Sequence, residues 1–140
     1  MSEIGEIYKA YDIMTPELRY VDVSTSIRDA AMRIINEGIG ALIVTKEGSP
    51  VGIVTKRDII WAILFEKRSP DDPVEKIMST PLITVDSDAG IKDVLSIMIR
   101  NNISHLPVRE KNKLVGIISD ADLLEAFQDL LNMFNNMREK

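Results

Sequence analysis

The chain has 140 residues, a net charge of −5, one histidine and no cysteine. With 45% hydrophobic and 28% charged residues it has a globular composition, long enough for one shared core but marginal for two independent ones. Disulfides, thiolate metal sites and multi-histidine metal centres are excluded, and the acidic balance disfavours nucleic-acid binding.

Two features of the sequence bear on where the protein is located in the cell. No apolar run reaches the roughly 18 residues that a membrane span needs, so we expect none. The N-terminal residues Met1–Glu6 contain neither a basic region nor an apolar stretch, which argues against a secretory signal. A cytoplasmic location is therefore the default expectation.

The two halves of the chain are copies of each other. Residues 13–60 align with 77–124 at a constant shift of 64, with 15 identities in 48 positions and no gap. Gly52 matches Gly116, and Asp58 matches Asp122. Because glycine, aspartate and apolar positions stay in phase, we interpret the pattern as an internal duplication.

Each copy has the same order of predicted elements. In the first copy, hydrophobic spacing and capping residues predict a helix around Ile7–Ile13, a strand centred on Tyr20-Val21, a helix from Ile27 (N-cap Ser26, stop at Gly38), strands Ala41–Thr45 and Val51–Val54, and a helix from near Lys56. The counterparts in the second copy are a helix around Val74–Met78, a strand at Thr84-Val85, a helix from Ile91, strands His105–Arg109 and Leu114–Ile118, and a helix from near Asp120.

The order after the first helix is β-α-β-β-α, which predicts a mixed α/β (α+β) fold with helix-covered strands. Gly48 and Asn112 are expected to adopt positive φ in the two hairpin turns. The polar segment Lys67–Pro73, with two prolines, is the predicted linker.

The last helix is longer than its counterpart. Apolar residues keep helical spacing from Leu123 to Phe134, well past the end of the repeat. This stripe, with Met133 and Met137, predicts either core packing or contact with a second subunit, and the sequence leaves both open.

A Ser/Thr-x-x-Asp motif follows the last strand of each copy. The residues are Thr55 with Asp58, and Ser119 with Asp122. A hydroxyl and free N–H groups at a helix start can hold a phosphate, and a carboxylate can accept hydrogen bonds from two ribose hydroxyls. The same pattern also forms a helix-capping box, and both roles can hold at once.

These motifs resemble a pair of cystathionine β-synthase (CBS) domains. The matching segments are Ile-Met-Thr-Pro at 13–16, Gly-Ile-Val-Thr-Lys-Arg-Asp at 52–58, Ile-Met-Ser-Thr-Pro at 77–81, Ile-Ser-His-Leu-Pro-Val at 103–108, and Gly-Ile-Ile-Ser-Asp-Ala-Asp at 116–122. The resemblance is to a stand-alone module of prokaryotic type. It implies a first repeat at 8–66, a linker at 67–72, a second repeat at 73–132 and a C-terminal helical extension at 133–140.

The resemblance implies a fold and a function. Two repeats would pack through their sheets with pseudo-twofold symmetry, and such pairs commonly form flat, disc-shaped homodimers. They usually sense AMP, ADP, ATP or S-adenosylmethionine as regulatory ligands. We therefore expect no required cofactor, no catalysis, and an unidentified effector protein that reads the ligand state.

In the family's pattern, each ligand cleft takes residues from both copies. Carried onto this sequence, one cleft would combine Thr55, Arg57 and Asp58 with Thr80, Ile83, Ile103, Ser104 and His105. The other would combine Ser119 and Asp122 with Thr15, Arg19, Ile39, Gly40 and Ala41. Apolar members would sandwich the base, and backbone groups of the second strand would read its edge.

The two motifs differ in charge. Lys56-Arg57 lies inside the first and Asp120-Ala121 inside the second, a difference of three charges. We expect a phosphorylated ligand to prefer the Thr55–Asp58 cleft, because nearby cations stabilise phosphate. His105 would add positive charge there at low pH.

Two other interpretations fit parts of the sequence. Ser119, His105 and Asp122 have the residue types of a hydrolase triad, but no Gly-x-Ser-x-Gly elbow is present and triads are defined by geometry. A non-catalytic interaction module with vestigial clefts is the second functional hypothesis.

Trp61 is expected in core or dimer packing rather than base stacking.

Overall fold

The computed structural model describes residues 8–138. The first half contains α1 (Ala10–Ile13), β1 (Tyr20–Asp22), α2 (Ile27–Glu37), β2 (Ala41–Lys46), β3 (Ser49–Thr55) and α3 (Lys56–Leu64). The second half contains a 3₁₀ turn (Val74–Lys76), β4 (Val85–Asp86), α4 (Ile91–Asn101), β5 (His105–Glu110), β6 (Lys113–Ser119) and α5 (Asp120–Arg138). The mixed α/β class and the duplicated element order are confirmed.

The two three-stranded sheets have the same topology. In the first, β1 is parallel to β2, and β2 is antiparallel to β3. In the second, β4, β5 and β6 pair in the same way. Each middle strand changes register directly after a buried valine, Val44 in β2 and Val108 in β5, which are 64 residues apart.

Most helix signals in the sequence are confirmed; the exception is the helix predicted around Val74–Met78, where only the 3₁₀ turn Val74–Lys76 forms. The Ser26 hydroxyl accepts a hydrogen bond from the Asp29 N–H and caps α2, which ends at the left-handed Gly38. Ile7, part of the first predicted helix, lies outside the described residues, as do Met1–Glu6 and the last two residues of the predicted extension.

One turn prediction is wrong. Gly48 has a φ of 83°, as expected, but in the second hairpin the positive φ falls on Lys111 (58°) and not on Asn112. Lys111 corresponds to Glu47 (52°). Two-residue hairpin loops place positive φ at their first central residue in both favoured turn types, and this position outweighs the preference of the asparagine beside it.

The buried core repeats residue by residue. Eight core residues pack together in one cluster, seven from the first copy and Val74 from the start of the second, and each has a buried counterpart 64 positions away. The pairs are Val21/Val85, Ile27/Ile91, Ala30/Val94, Ile34/Met98, Leu42/Leu106, Val44/Val108, Val54/Ile118 and Val74/Ala10. In seven pairs, the residue from the first half of the chain lies in the first core. In the last pair the order is reversed, because Val74 from the second half packs in the first core. The segments that precede the first strand of each copy have therefore exchanged places.

The chain divides into two compact units that exchange these segments. One unit, here the Thr55 unit, is Leu18–Ile83; the other, the Ser119 unit, combines the described residues up to Glu17 with those from Thr84 onward. In the Thr55 unit, Ser79 and Ile53 exchange two backbone hydrogen bonds (2.8 and 3.2 Å). In the Ser119 unit, Thr15 and Ile117 do the same (2.8 and 2.9 Å). The boundary between the two sequence repeats therefore differs from the boundaries between the two compact units.

A glycine lies next to each exchanged segment. A Cβ at Gly52 would be 2.7 Å from the Ser79 carbonyl oxygen, and one at Gly116 would be 2.8 Å from the Thr15 carbonyl oxygen. Both distances are below van der Waals contact, and both oxygens belong to the backbone, which cannot move aside as the nearby Met14 and Met78 side chains can. Glycine is therefore required for the close approach of the exchanged segment to the strand.

Gly52→Ala is expected to destabilise the protein by about 1–3 kcal/mol, because the added methyl group forces the backbone of the exchanged segment away from β3. Chemical denaturation measures the change. Ser49→Ala, at the exposed start of the same strand, is the matched control and should change stability by less than about 0.5 kcal/mol. Equal stability of Gly52→Ala and the wild type would contradict this account of the contact.

Candidate functional site

Both Ser/Thr-x-x-Asp motifs form capping boxes at a strand-to-helix junction. The Asp58 carboxylate accepts hydrogen bonds from the Thr55 N–H (2.8 Å) and hydroxyl (2.9 Å), and the Asp58 N–H donates to the same hydroxyl (3.2 Å). Asp122 accepts from the Ser119 N–H (2.8 Å), and its own N–H donates to the Ser119 hydroxyl (3.2 Å). The capping interpretation is confirmed at both motifs, and all four residues are half-buried.

The exchanged segment brings Thr15 to the second motif. The Thr15 hydroxyl lies 3.3 and 3.4 Å from the two carboxylate oxygens of Asp122 and donates to them. Thr15 was predicted to share a cleft with Ser119 and Asp122, and these three residues lie together in the Ser119 unit. Its counterpart is Ser79, but among the described residues Asp58 accepts side-chain and backbone bonds from Thr55 alone.

The start of each middle strand lies beside the motif of its own unit. The Gly40 carbonyl accepts a hydrogen bond from the Lys56 N–H (3.1 Å), and Ala41 pairs with Thr55. The Ser104 carbonyl accepts from the Asp120 N–H (3.0 Å), and His105 pairs with Ser119. Sequence reasoning missed this adjacency, which the hairpin register determines.

The remaining predicted cleft residues fall in both units. Ile39, Thr80 and Ile83 belong to the Thr55 unit, and Ile103 belongs to the Ser119 unit. In the Ser119 unit, the Ser104 hydroxyl lies 3.1 Å from His105 Nδ1. The predicted clefts combine residues of the two units, and that combination stays a prediction.

Arg19 belongs to an ion cluster that the sequence reasoning missed. Its Nε lies 2.6 Å from a carboxylate oxygen of Glu37, and Arg33 Nε lies 2.7 Å from the other. The hydrogen bonds from Arg33 and then Arg19 lower the pKa of Glu37 below its ordinary value of 4.5. The i, i+4 spacing of Arg33 and Glu37 on α2 is a sequence signal that could have indicated the pair.

An acidic cavity of about 270 Å³ lies beside the second motif. It lies between α1 and α5 and is lined by Tyr8, Asp12, Ile13, Met14, Thr15, Pro16, Asp122, Glu125, Ala126 and Asp129. Four of these residues are acidic. At three of those positions the Thr55 unit has Lys76, Trp61 and Phe65, in place of Asp12, Glu125 and Asp129 respectively.

The surroundings of the first motif are cationic. Lys56 and Arg57 are exposed at the start of α3, and neither forms an ion pair with another described residue. The charge contrast between the motifs therefore extends beyond the two residues inside each one. An anionic ligand group is favoured by the first set of charges and disfavoured by the second.

The described part of the chain contains neither a metal-binding cluster nor a membrane-spanning helix. Across residues 8–138, no group of three or more histidine, aspartate or glutamate side chains is placed to hold a metal ion. Over the same range, no helix combines the length and apolar character that crossing a bilayer requires.

Comparison with known proteins gives a consistent set of similarities. The family model for the CBS domain matches the chain twice, at residues 10–65 and 74–129. A CBS domain-containing protein of Bacillus subtilis is 31% identical over 112 residues, which cover 80% of this chain and 80% of that protein.

Solved structures share the fold. An uncharacterized conserved protein from Pyrococcus horikoshii has a TM-score of 0.81 at 35% identity, covering 86% of this chain and 92% of that one. The CBS domain pair of protein MJ0100, solved in complex with 5′-methylthioadenosine and S-adenosyl-L-methionine, has a TM-score of 0.77 at 29% identity, covering 87% and 97%.

Replacing the carboxylate of the ion cluster should change the pH dependence of stability. Because the pKa of Glu37 is lowered by folding, its charge stabilises the protein above 4.5, and this contribution is lost as the pH falls through the lowered value. Glu37→Gln should therefore lower the melting temperature near neutral pH, and the difference from wild type should shrink in acid.

Thermal melts from neutral pH down to below 4 provide the measurement. Glu110→Gln, at the exposed end of β5, is the control and should follow the wild type throughout. A Glu37→Gln difference that is constant across the range would contradict the electrostatic assignment.

Proposed function

The chain belongs to the CBS domain family, with two copies of the domain, and we propose that it is a regulatory module that binds an adenosine-containing ligand. The observation that carries the proposal is the pair of Ser/Thr-x-x-Asp junctions, each with a carboxylate fixed by its own capping bonds. A related CBS domain pair binds S-adenosylmethionine and methylthioadenosine, which supports this ligand class. AMP, ADP and ATP are the candidates we favour.

Each carboxylate would accept the ribose hydroxyls. At Asp58, both hydrogen bonds from Thr55 go to Oδ2, so Oδ1 accepts none from the described residues. A carboxylate that is oriented by capping, with one oxygen left for a ligand, loses little entropy on binding. Capping and ligand recognition are thus two uses of the same side chain.

The proposed signal is a change in population between two arrangements of a homodimer, which an effector protein then reads. A ligand shifts such an equilibrium only if it binds one arrangement better than the other. The proposal includes no catalytic step and no cofactor, and it assigns the chain a cytoplasmic role.

A second candidate is a protein-interaction module whose clefts are vestigial. The observation that favours it is the exposure of large apolar side chains at the end of α3, where Trp61 is 58% exposed and Phe65, directly after the helix, is 65% exposed. Exposed aromatic residues in a cluster are typical of interaction surfaces. Ligand binding separates the two candidates.

Titration of the whole protein with AMP, ADP, ATP and S-adenosylmethionine is the test of binding. A ligand at 100 times its Kd should stabilise the fold by about 2.7 kcal/mol, visible as a thermal shift. Asp58→Asn or Asp122→Asn should weaken binding about 10- to 100-fold, the range for a lost hydrogen bond to a charged group.

The matched control is Asp29→Asn, which alters a first-turn aspartate of α2 outside both motifs and should leave affinity unchanged. No thermal shift with any of the four compounds would overturn the sensor proposal and favour the interaction module.

Phosphate recognition is expected at the Thr55 motif. Removing the Arg57 guanidinium should weaken ATP binding at least about fivefold, since a cation near a phosphate contributes roughly 1–4 kcal/mol. Adenosine itself should bind Arg57→Ala as well as it binds the wild type.

Calorimetric titration compares the two ligands. Lys92→Ala, which removes an exposed cation from α4, is the control and should leave both affinities unchanged. Unchanged ATP affinity in Arg57→Ala would contradict the charge argument.

A further inference from the structure

The helices α3 and α5 each expose a stripe of side chains along one face, and the two stripes occupy equivalent positions in the two copies. The α3 stripe consists of Lys56, Arg57, Ile60, Trp61 and Leu64, together with Phe65, the residue directly after the helix. The α5 stripe consists of Asp120, Ala121, Leu124, Glu125, Gln128 and Asp129. Each position in one stripe lies 64 residues from its counterpart in the other, and all of these residues are exposed. The duplication has therefore kept the same helix face uncovered in both copies.

The stripes have opposite charge. The α3 stripe carries two cations and no acid, whereas the α5 stripe carries three acids and no cation. None of these five charged side chains forms an ion pair with another described residue. The charges are thus available to select a partner surface.

Both stripes also carry apolar surface. On α3, the rings of Trp61 and Phe65 stack with their centroids 4.7 Å apart, and Leu64 beside them is 64% exposed. On α5, Leu124 is 70% exposed, and Leu131, seven residues on, continues the same helix face. Each stripe therefore combines apolar residues with charges of one sign.

We infer that the α3 stripe of one copy packs on the α5 stripe of a second copy. This inference rests on the proposed homodimer and specifies its arrangement. Packing α3 on α3 would bring four cations together, and packing α5 on α5 would bring six carboxylates together. Only the mixed pairing places cations opposite acids, and charge of this kind decides between alternative arrangements more than it adds affinity.

A twofold dimer can satisfy both stripes at once. When residue i of one copy contacts residue j of the other, twofold symmetry makes j contact i as well. The mixed pairing therefore occurs twice in each dimer and leaves neither stripe exposed. Trp61, in the middle of the α3 stripe, would be buried at each contact, as tryptophan commonly is at interface centres.

The absence of native cysteine allows a direct test by site-specific crosslinking. Ile60→Cys and Leu124→Cys chains, carrying tags of different size, are mixed, allowed to exchange subunits and treated with a short bis-maleimide. The mixture should give a crosslinked heterodimer, and each variant alone should give little product. Ser49→Cys, at an exposed position outside both stripes, replaces Ile60→Cys in the control mixture.

The outcomes are distinguishable when sedimentation of the wild type accompanies the crosslinking. Heterodimer crosslinks between the two stripes support the inference. Crosslinks of Ile60→Cys with itself, or a dimer without crosslinks at either stripe, would overturn the inference while leaving the proposed dimer intact. A monomeric wild type would overturn both, and ligand titration would still test the proposed binding.

Discussion

Each unit contains one short segment that the sequence repeat assigns to the other copy, and this exchange determines the structure of both units. Ser79 pairs with Ile53, and Thr15 pairs with Ile117, through two backbone hydrogen bonds in each case. Each unit thereby completes its core with a residue from outside its own sequence block, Val74 in one and Ala10 in the other. Two cores of this size would be marginal if each depended only on its own contiguous chain.

The same exchange shapes the candidate sites. Thr15 reaches Asp122 only because the segment that contains it crosses β6 at Gly116. The cavity beside Asp122 is lined partly by that segment, whose Asp12 adds to its negative charge. Duplication supplied two equal frameworks, and substitutions at equivalent positions then gave them opposite electrostatic character. If both junctions bind ligands, as we propose, their unequal charge would let each prefer a ligand of different charge.

Much of the fold could be predicted because the two copies within the sequence can be compared with each other. The constant shift of 64 located the strands and both Ser/Thr-x-x-Asp motifs, and residue preferences located the helix caps at Ser26 and Gly38. What could not be predicted depended on contacts between distant segments. The Arg19–Glu37 pair spans 18 positions with no periodic signal, and the bond from Thr15 to Asp122 spans 107. Lys111 was missed because residue preference at Asn112 was weighed above loop geometry.

Amide chemical shifts of isotopically labelled protein, followed during titration with ATP, test whether the two strand-to-helix junctions bind a ligand. If the strand-to-helix junctions are ligand sites, the largest shifts should fall at Thr55–Asp58, with smaller ones in the exchanged segment around Ser79. The acidic Ser119–Asp122 junction should respond more weakly to this anionic ligand. Shifts confined to other surfaces, or an unchanged spectrum at saturating ATP, would contradict the account.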